Sequence, residues 1–345
     1  MAIINSAQLK LDEQLKEQVY KTRLKIVGIG GAGNNTLDTI AELGIEGVET
    51  IAVNTDAQDL LNTVADKKIL IGKELSRGLG AGNDPEQGKK AALENISDVL
   101  KAVEGCDAVF LTCGLGGGTG GGAIGVIAEA CKKAGCLTIA VVSLPFTVEG
   151  KRRIMNANKG LLELTRHADS IILVPNDRLL ETAPNLPLVK AFKLVDSIVA
   201  NALKGIIELV TKPGLVNLDF ADLRTVMRDS GIGLIGIGES DAKSRAEEAV
   251  MRAITNPLLD IDLSKAKGAL VNIVGGNDFR LEEAHCIVNS IASRLDRSAK
   301  IIWGAKLEEG LKGKIRVFVV LTGLRSTSFT DAHAQDGFVW LEDLK

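Results

Sequence analysis

Seven of the nine residues from Gly114 to Gly122 (GLGGGTGGG) are glycine. Glycine loses more conformational freedom on folding than any other residue. A run this dense therefore needs a reason beyond a plain turn, such as backbone lying against another group. The run follows a strand-like segment, AVFLTC, and opens a helix-patterned one. Successive N–H groups in such a turn form a concave nest for oxyanions, and Thr119 adds a hydroxyl donor. A second loop, Gly28-Ile29-Gly30-Gly31-Ala32-Gly33, also sits between a strand and a helix. Alone it is ambiguous. A tight turn explains it, and so does a dinucleotide-binding loop, with Asp56 ending the next strand about 25 residues on, where a ribose-binding acid belongs. Two glycine-rich loops at neighbouring strand ends suit a triphosphate better than a dinucleotide. A third loop, Arg77-Gly78-Leu79-Gly80-Ala81-Gly82-Asn83-Asp84-Pro85, precedes a further helix and reads either as a flexible loop or as a cover for the terminal phosphate. No GxxxxGK[ST] occurs, which excludes a P-loop.

Short apolar, β-branched runs alternate with helix-patterned stretches along the first half: LKIVGIG, TIAVNT, KKILIG, DAVFLTC, CLTIAVVSLP and SIILVPN. Strands buried on both faces and joined by helices give a doubly wound parallel α/β sheet. Residues 188–211 form one long helical pattern that Lys212-Pro213-Gly214 stops. Beyond it, LIGIGES, GALVNIVGG, KIIWGAKLEE and KIRVFVVLTG are strand candidates with two helices among them. The expected organisation is an N-terminal helical extension over 1–23, a nucleotide-binding unit over 24–187, a central helix over 188–211, a loop and short helix over 212–230, a second, smaller α/β unit over 231–325, and a flexible tail over 326–345. Within the extension, Leu11, Leu15 and Val19 fall four apart, one stripe of a helix that packs on the body.

Composition sets bounds. The 345 residues are 46% hydrophobic, enough for a large core. A net charge of −3 supplies no basic field for nucleic acid. No apolar run reaches the roughly 20 residues a membrane span needs, so no direct membrane insertion is expected. The first residues lack the basic and apolar regions of a signal peptide. Five cysteines without CxxC spacing read as buried thiols in a reducing cytoplasm, and three scattered histidines argue against a histidine metal site.

The motifs GGAGNN, NTD, RGLGAG, GGGTG, LPFTVEGKRR, VPNDRLLE and KPGLVNLDFADLRTVM, in this order over roughly 24–325, resemble the tubulin/FtsZ family, and more closely its FtsZ-like members. The resemblance implies a GTPase that binds GTP or GDP with Mg²⁺ and polymerises with copies of itself, each active site being completed by the next subunit. It places Gly30, Gly31, Ala32, Ala81, Gly82, Gly116, Gly117, Gly118, Thr119 and Gly120 on the phosphates. Glu149 and Arg153 fall near the ribose and α-phosphate, although a surface ion pair four residues apart would look the same. Asn35, Asn176, Phe192 and Asp196 fall on the guanine. Phe192 and Asp196 share a helix face, and a carboxylate that only accepts would reject adenine. Without the resemblance, Phe192 reads as core and Asp196 as a solvated helix charge. Asn217, Asp219 and Asp222 match the catalytic loop that reaches the neighbour's γ-phosphate, while Asp219 and Asp222 also read as a helix cap. The sequence departs from the common pattern at Gly121, where a second threonine is usual, at Gly125, where proline is usual, and at Asn83-Asp84-Pro85. These bear on hydrolysis rate rather than on nucleotide binding.

The implied role is a filament of the division ring on the inner face of the cell membrane. Two other readings stay open: a nicotinamide-dependent oxidoreductase built on the first loop, and a filament protein that binds GTP but scarcely hydrolyses it. In the tail, Phe338, Val339, Trp340, Leu341 and Leu344 sit among acids. That pattern suits a docking peptide for a membrane adaptor, or a segment that packs back on its own domain.

Overall fold

The computed structural model describes residues 22–324, apart from 183–186, 213, 217, 257 and 259–261. The N-terminal stripe and the C-terminal tail lie outside the described residues. Ten strands form one sheet: β1 (Leu24–Ile29), β2 (Val48–Asn54), β3 (Lys67–Leu70), β4 (Ala108–Gly114), β5 (Leu137–Leu144), β6 (Ser170–Pro175), β7 (Gly231–Ser240), β8 (Gly268–Gly275), β9 (Lys300–Leu307) and β10 (Ile315–Leu324), in the order β3-β2-β1-β4-β5-β6-β7-β10-β8-β9. From β3 to β7 every pairing is parallel. β10 runs antiparallel to both β7 and β8, so the sheet as a whole is mixed. The second group of strands thus continues the first sheet instead of building one of its own.

Alternation along the strands feeds two cores. In β1, Val27 and Ile29 face one side while Leu24 and Ile26 face the other, and all four are buried. Helices α1 (Gly30–Glu42), α8 (Leu188–Thr211) and α9 (Phe220–Met227) cover one face. The other carries α3 (Pro85–Glu94), α4 (Ile96–Val103), α5 (Thr119–Lys133), α6 (Lys151–His167), α10 (Arg245–Ile254) and α11 (Leu281–Ala292). Two short helices, α2 (Ala57–Asn62) and α7 (Asn176–Thr182), follow β2 and β6. The pattern expected at 188–211 is one helix of 24 residues, buried through Val195, Val199, Leu203 and Ile206. Its far half rests on the added strands. The Phe318 ring of β10 lies against Gly205, and Asn272 Nδ2 of β8 donates to the Gly205 carbonyl at 3.2 Å.

Helix α5 carries the second half of the glycine run because its neighbours touch its backbone. A Cβ on Gly122 would stand 2.0 Å from the Pro85 carbonyl oxygen of α3, and one on Gly125 would stand 2.7 Å from the Glu163 Cβ of α6. The glycine at 125, unusual for the sequence pattern, is thus set by the packing of α6. Gly122→Ala is expected to destabilise the chain by about 1–3 kcal/mol through overpacking, read as a Tm several degrees lower by calorimetry. Gly310→Ala, whose Cβ meets open space, is expected to leave Tm within about a degree. Equal Tm values for the two variants would contradict this packing.

Candidate functional site

The strand order reverses between β1 and β4, because β1 continues through β2 to β3 on one side and β4 continues to β5 and β6 on the other. In doubly wound sheets ligands bind beyond the carboxyl ends of the strands at such a point. A cavity of about 300 Å³ opens there. Four strand ends and one helix line it. Gly30, Gly31, Ala32 and Asn35 follow β1, Gly117, Gly118, Thr119 and Gly120 follow β4, Glu149 and Arg153 follow β5, Asn176 follows β6, and Phe192 and Asp196 come from α8. Residues some 165 positions apart in sequence (Gly31 to Asp196) thus share one wall.

The two glycine loops meet at the floor. Gly30 has φ +70° and its Cβ position would fall 2.9 Å from the Gly120 nitrogen, so neither loop accepts a side chain at this contact. Both loops lead directly into helices, α1 and α5, and neither helix start has a side-chain cap. Three other helix starts are capped by aspartate: Asp56 for α2, Asp84 for α3 and Asp219 for α9. The helix ends that face the cavity therefore keep unpaired N–H donors and a positive dipole end for an anion. Thr119 Oγ1 lies 2.6 Å from Thr55 Oγ1 at the end of β2, which ties the second loop to the NTD motif.

The third loop braces the second from outside. Gly80 N donates to the Thr55 carbonyl at 3.1 Å, and Ala57 N donates to the Gly78 carbonyl at 3.0 Å. A Cβ on Gly118 would lie 3.0 Å from the Ala81 Cβ and 2.8 Å from the Asp84 nitrogen. Ala81 stands behind Gly118, Gly82 is exposed, and Gly116 lies within the second loop with its Cβ position 2.8 Å from the Arg153 carbonyl oxygen; the cavity wall includes none of the three. Asp84 accepts from Glu86 N at 3.0 Å and starts α3, so its carboxylate has a structural task. Asp56 is likewise a cap, accepting from Gln58 N at 2.9 Å and Asp59 N at 3.1 Å, and it does not line the cavity. The dinucleotide alternative thereby loses its ribose-binding acid.

The opposite wall suits a flat, polar-edged ring. Phe192 is 40% exposed, and its ring meets Phe146 edge-on with centroids 5.5 Å apart. Phe146 is buried and holds the exposed ring in place; no sequence signal singled it out. Asp196 sits one helical turn along. Burial, followed by the like charge of Asp38, pushes its carboxyl up to about 6. The side chain of Asn176 is buried, and its Oδ1 has no hydrogen-bond partner among the described residues, an acceptor left for a ligand donor. Glu149 pairs with Arg153 and accepts from Phe146 N at 2.8 Å, so the ion pair expected from spacing exists and also faces the cavity. Ser143 and Pro145 line the wall as well. They occupy the carboxyl end of β5, a position that the parallel-sheet reading alone could have flagged.

Asp219 and Asp222 lie elsewhere. They form a reciprocal cap at the start of α9: Asp222 N donates to Asp219 Oδ1 at 2.8 Å, and Asp219 N donates to Asp222 Oδ2 at 3.2 Å. Neither lines the cavity. Their loop is fastened to β9, where Leu215 N donates to the Ala305 carbonyl at 2.8 Å. Asn217 lies outside the described residues. Among the described residues no three His, Cys, Asp or Glu side chains are placed to hold a metal. No helix among them is long and apolar enough to cross a membrane.

Two family models match. The Tubulin/FtsZ family GTPase domain covers residues 23–184, and the FtsZ family C-terminal domain covers 231–325. Cell division protein FtsZ 1 of Thermococcus kodakarensis is 56% identical over 92% of this chain and 86% of its own length. The protein of the same name from Pyrococcus abyssi is 55% identical over 95% of this chain and 88% of its own. A solved structure described as an empty FtsZ dimer, from M. jannaschii, superposes with a TM-score of 0.88 at 51% identity and covers 93% of both chains.

Proposed function

The chain belongs to the FtsZ branch of the Tubulin/FtsZ family and is a GTP-hydrolysing cell-division protein, and on that premise we propose how its own residues bind the nucleotide, read the base and complete the active site. The carrying observation is the convergence of two uncapped helix starts on one cavity. The backbone N–H groups of Gly30, Gly31, Ala32 and of Gly117 to Gly120 hold the phosphates, with Thr119 as hydroxyl donor. Ala81 keeps that loop in shape from behind, and Gly116 turns within it at φ +97°. Glu149 positions Arg153 beside the ribose and α-phosphate. Phe192 stacks on guanine, Asp196 accepts from its N1–H and 2-amino group, and Asn35 and Asn176 supply further contacts. Among the described residues the cavity wall offers two carboxylates, Glu149 and Asp196, and Glu149 is engaged by Arg153, so the protein supplies no acid cluster for Mg²⁺, which would enter with the phosphates. The chemistry it would supply there is neutralisation of phosphate charge.

Hydrolysis belongs to the polymer. Asp219 and Asp222 are absent from their own chain's cavity, so they act on the nucleotide of the next copy. The mutual cap fixes both carboxylates on α9, and each has a second oxygen beyond the one used in the cap. Those oxygens, with Asn217, orient and polarise the attacking water, a step that depends on positioning and electrostatics. The filament works at the division site on the inner face of the cell membrane. The tail, residues 326–345, supplies the link to a membrane adaptor through its apolar cluster.

GTP preference is expected to depend on pH through Asp196. In the free chain burial penalises its anion, so binding of guanine, which needs the anion, should be strong above about pH 6. Affinity should fall about tenfold per pH unit below that point, with no matching slope for ATP. Asp196→Asn should flatten the slope and cut the GTP-over-ATP ratio about 10- to 100-fold. Isothermal titration at pH 5 to 8 reads both, and an unchanged ratio in the variant would sink the assignment.

Specific GTPase activity is expected to rise with protein concentration above a threshold. Asp219→Asn retains an N-cap acceptor and should bind GTP, yet turn over on the order of 100-fold more slowly. Mixing it with Asp196→Lys, which offers donors to the donors of guanine, should restore part of the phosphate release. Turnover that stays constant down to dilute monomer would refute hydrolysis by the neighbouring copy. Deleting 336–345 should leave turnover unchanged and free the filaments from the membrane, as read by fluorescence microscopy. A lower Tm in that variant would show a structural tail instead.

A further inference from the structure

The carboxylate of Asp59 lies beside the first glycine loop and has no task in the binding scheme above. Asp59 belongs to none of the sequence motifs and does not line the cavity. It sits on the short helix α2, whose start Asp56 caps. Its Oδ2 accepts from two side chains at once, Asn54 Nδ2 at 2.6 Å and Asn34 Nδ2 at 3.4 Å. The same oxygen lies 3.6 Å from where a Cβ on Gly31 would stand. An ionised oxygen next to an anion cradle repels the ligand's charge, so its place here needs another reason, and its partners supply one.

Both asparagines are buried. Asn34 stands near the start of α1, next to Asn35, which is exposed and lines the cavity. The bond to Asp59 therefore fixes how α1 is turned, with Asn34 inward and Asn35 toward the ligand space. Asn54 ends β2, and its Oδ1 accepts from Thr55 N at 2.8 Å and Asp56 N at 3.2 Å, which shapes the turn after the strand. Thr55 Oγ1 in turn meets Thr119 Oγ1 at 2.6 Å, at the start of α5. Hydrogen bonds thus run without a break from α1 to α5 through Asn34, Asp59, Asn54, Thr55 and Thr119. Bonds to an ionised acceptor are the stronger kind, and the two that meet on Asp59 are the joint of this chain.

We propose that Asp59 is a positioning residue for the nucleotide: its carboxylate joins the starts of α1 and α5 through Asn34, Asn54 and Thr55, and so sets the spacing of the two glycine loops. This rests on the reading that those loops hold the phosphates. The contact of Gly30 with Gly120 limits how closely the loops approach. The chain through Asp59 limits how far they part.

Isothermal titration of the full chain with GTP, GMP and ATP, well below Tm, tests this. Asp59→Ala removes the acceptor of both Nδ2 groups and should weaken GTP about tenfold. The GTP-over-ATP ratio should stay unchanged, because the base wall is built from other elements. Asp59→Asn should stay within about threefold of the unmodified chain. Its side-chain oxygen still accepts from Asn54, and its amide can donate to Asn34 Oδ1, which has no partner among the described residues. A residue that only stabilises the fold would lower Tm in Asp59→Ala and leave GTP affinity as it was, and that result overturns the inference. So does Asp59→Asn binding as weakly as Asp59→Ala, since the charge and not the bridge would then be responsible. Should Asp59→Ala fail to fold, Asn34→Asp decides. It sets two carboxylates against each other and should weaken GTP about tenfold, and adding Asp59→Asn should restore binding with donor and acceptor exchanged. No restoration overturns the inference. An unmodified chain that binds GMP as tightly as GTP refutes the phosphate reading of the loops, and this inference with it. GTP held over GMP, with equal GTP affinity in Asp59→Ala, overturns this inference alone.

Discussion

Everything functional in this molecule depends on a backbone contact at the carboxyl edge of the sheet, where the turn after β1 meets the turn after β4. Gly30 and Gly120 approach so closely that one added carbon would separate the loops. This closeness brings two helix starts, α1 and α5, to a single anion-sized space. Because no side chain caps either start, the donors there remain unspent in the free chain. The same chain caps α2, α3 and α9 with aspartate, while α1 and α5, the two starts that open from the glycine loops, carry none. An aspartate at either position would satisfy the helix and repel a phosphate.

The central helix α8 ties this edge to the rest of the sheet. Its first turns present Phe192 and Asp196 to the cavity. Three turns later Gly205 sits against Phe318, and Glu208 pairs with Lys306 of β9. The loop carrying Asp219 and Asp222 is fastened to the same strand at Ala305. The cavity-facing end of α8 and the acid-bearing loop are thus joined through one helix and one continuous sheet.

Asp219 and Asp222 illustrate how a residue can satisfy two readings at once. As helix-cap residues they are unremarkable, and the reciprocal bonds between them are what a capping box provides. The cap also immobilises two carboxylates side by side, which is what water activation across an interface requires. In the role proposed for them, the atoms that cap the helix would also serve the chemistry, and the cap is compatible with it.

The sequence alone determined the strands, the long helix and the glycine loops, because these depend on local physics: β-branched runs, apolar periodicity, Lys-Pro-Gly as a stop, and glycine where backbone must approach backbone. Resemblance carried the cavity residues from Gly30 to Asp196, and the folded chain gathers most of them around one space. Three things only tertiary structure decided. Phe146 supports Phe192 across 46 residues of sequence, and no periodicity reports such a contact. Ala81, Gly82 and Gly116 stay off the cavity wall, because which side of a loop faces a ligand depends on what packs against its other side. The strands after 231 extend the first sheet, since β7 pairs with β6 in parallel and β10 then turns the direction. Strand pairing between distant segments is a competition among many partners, and only the packed chain reveals which pair wins.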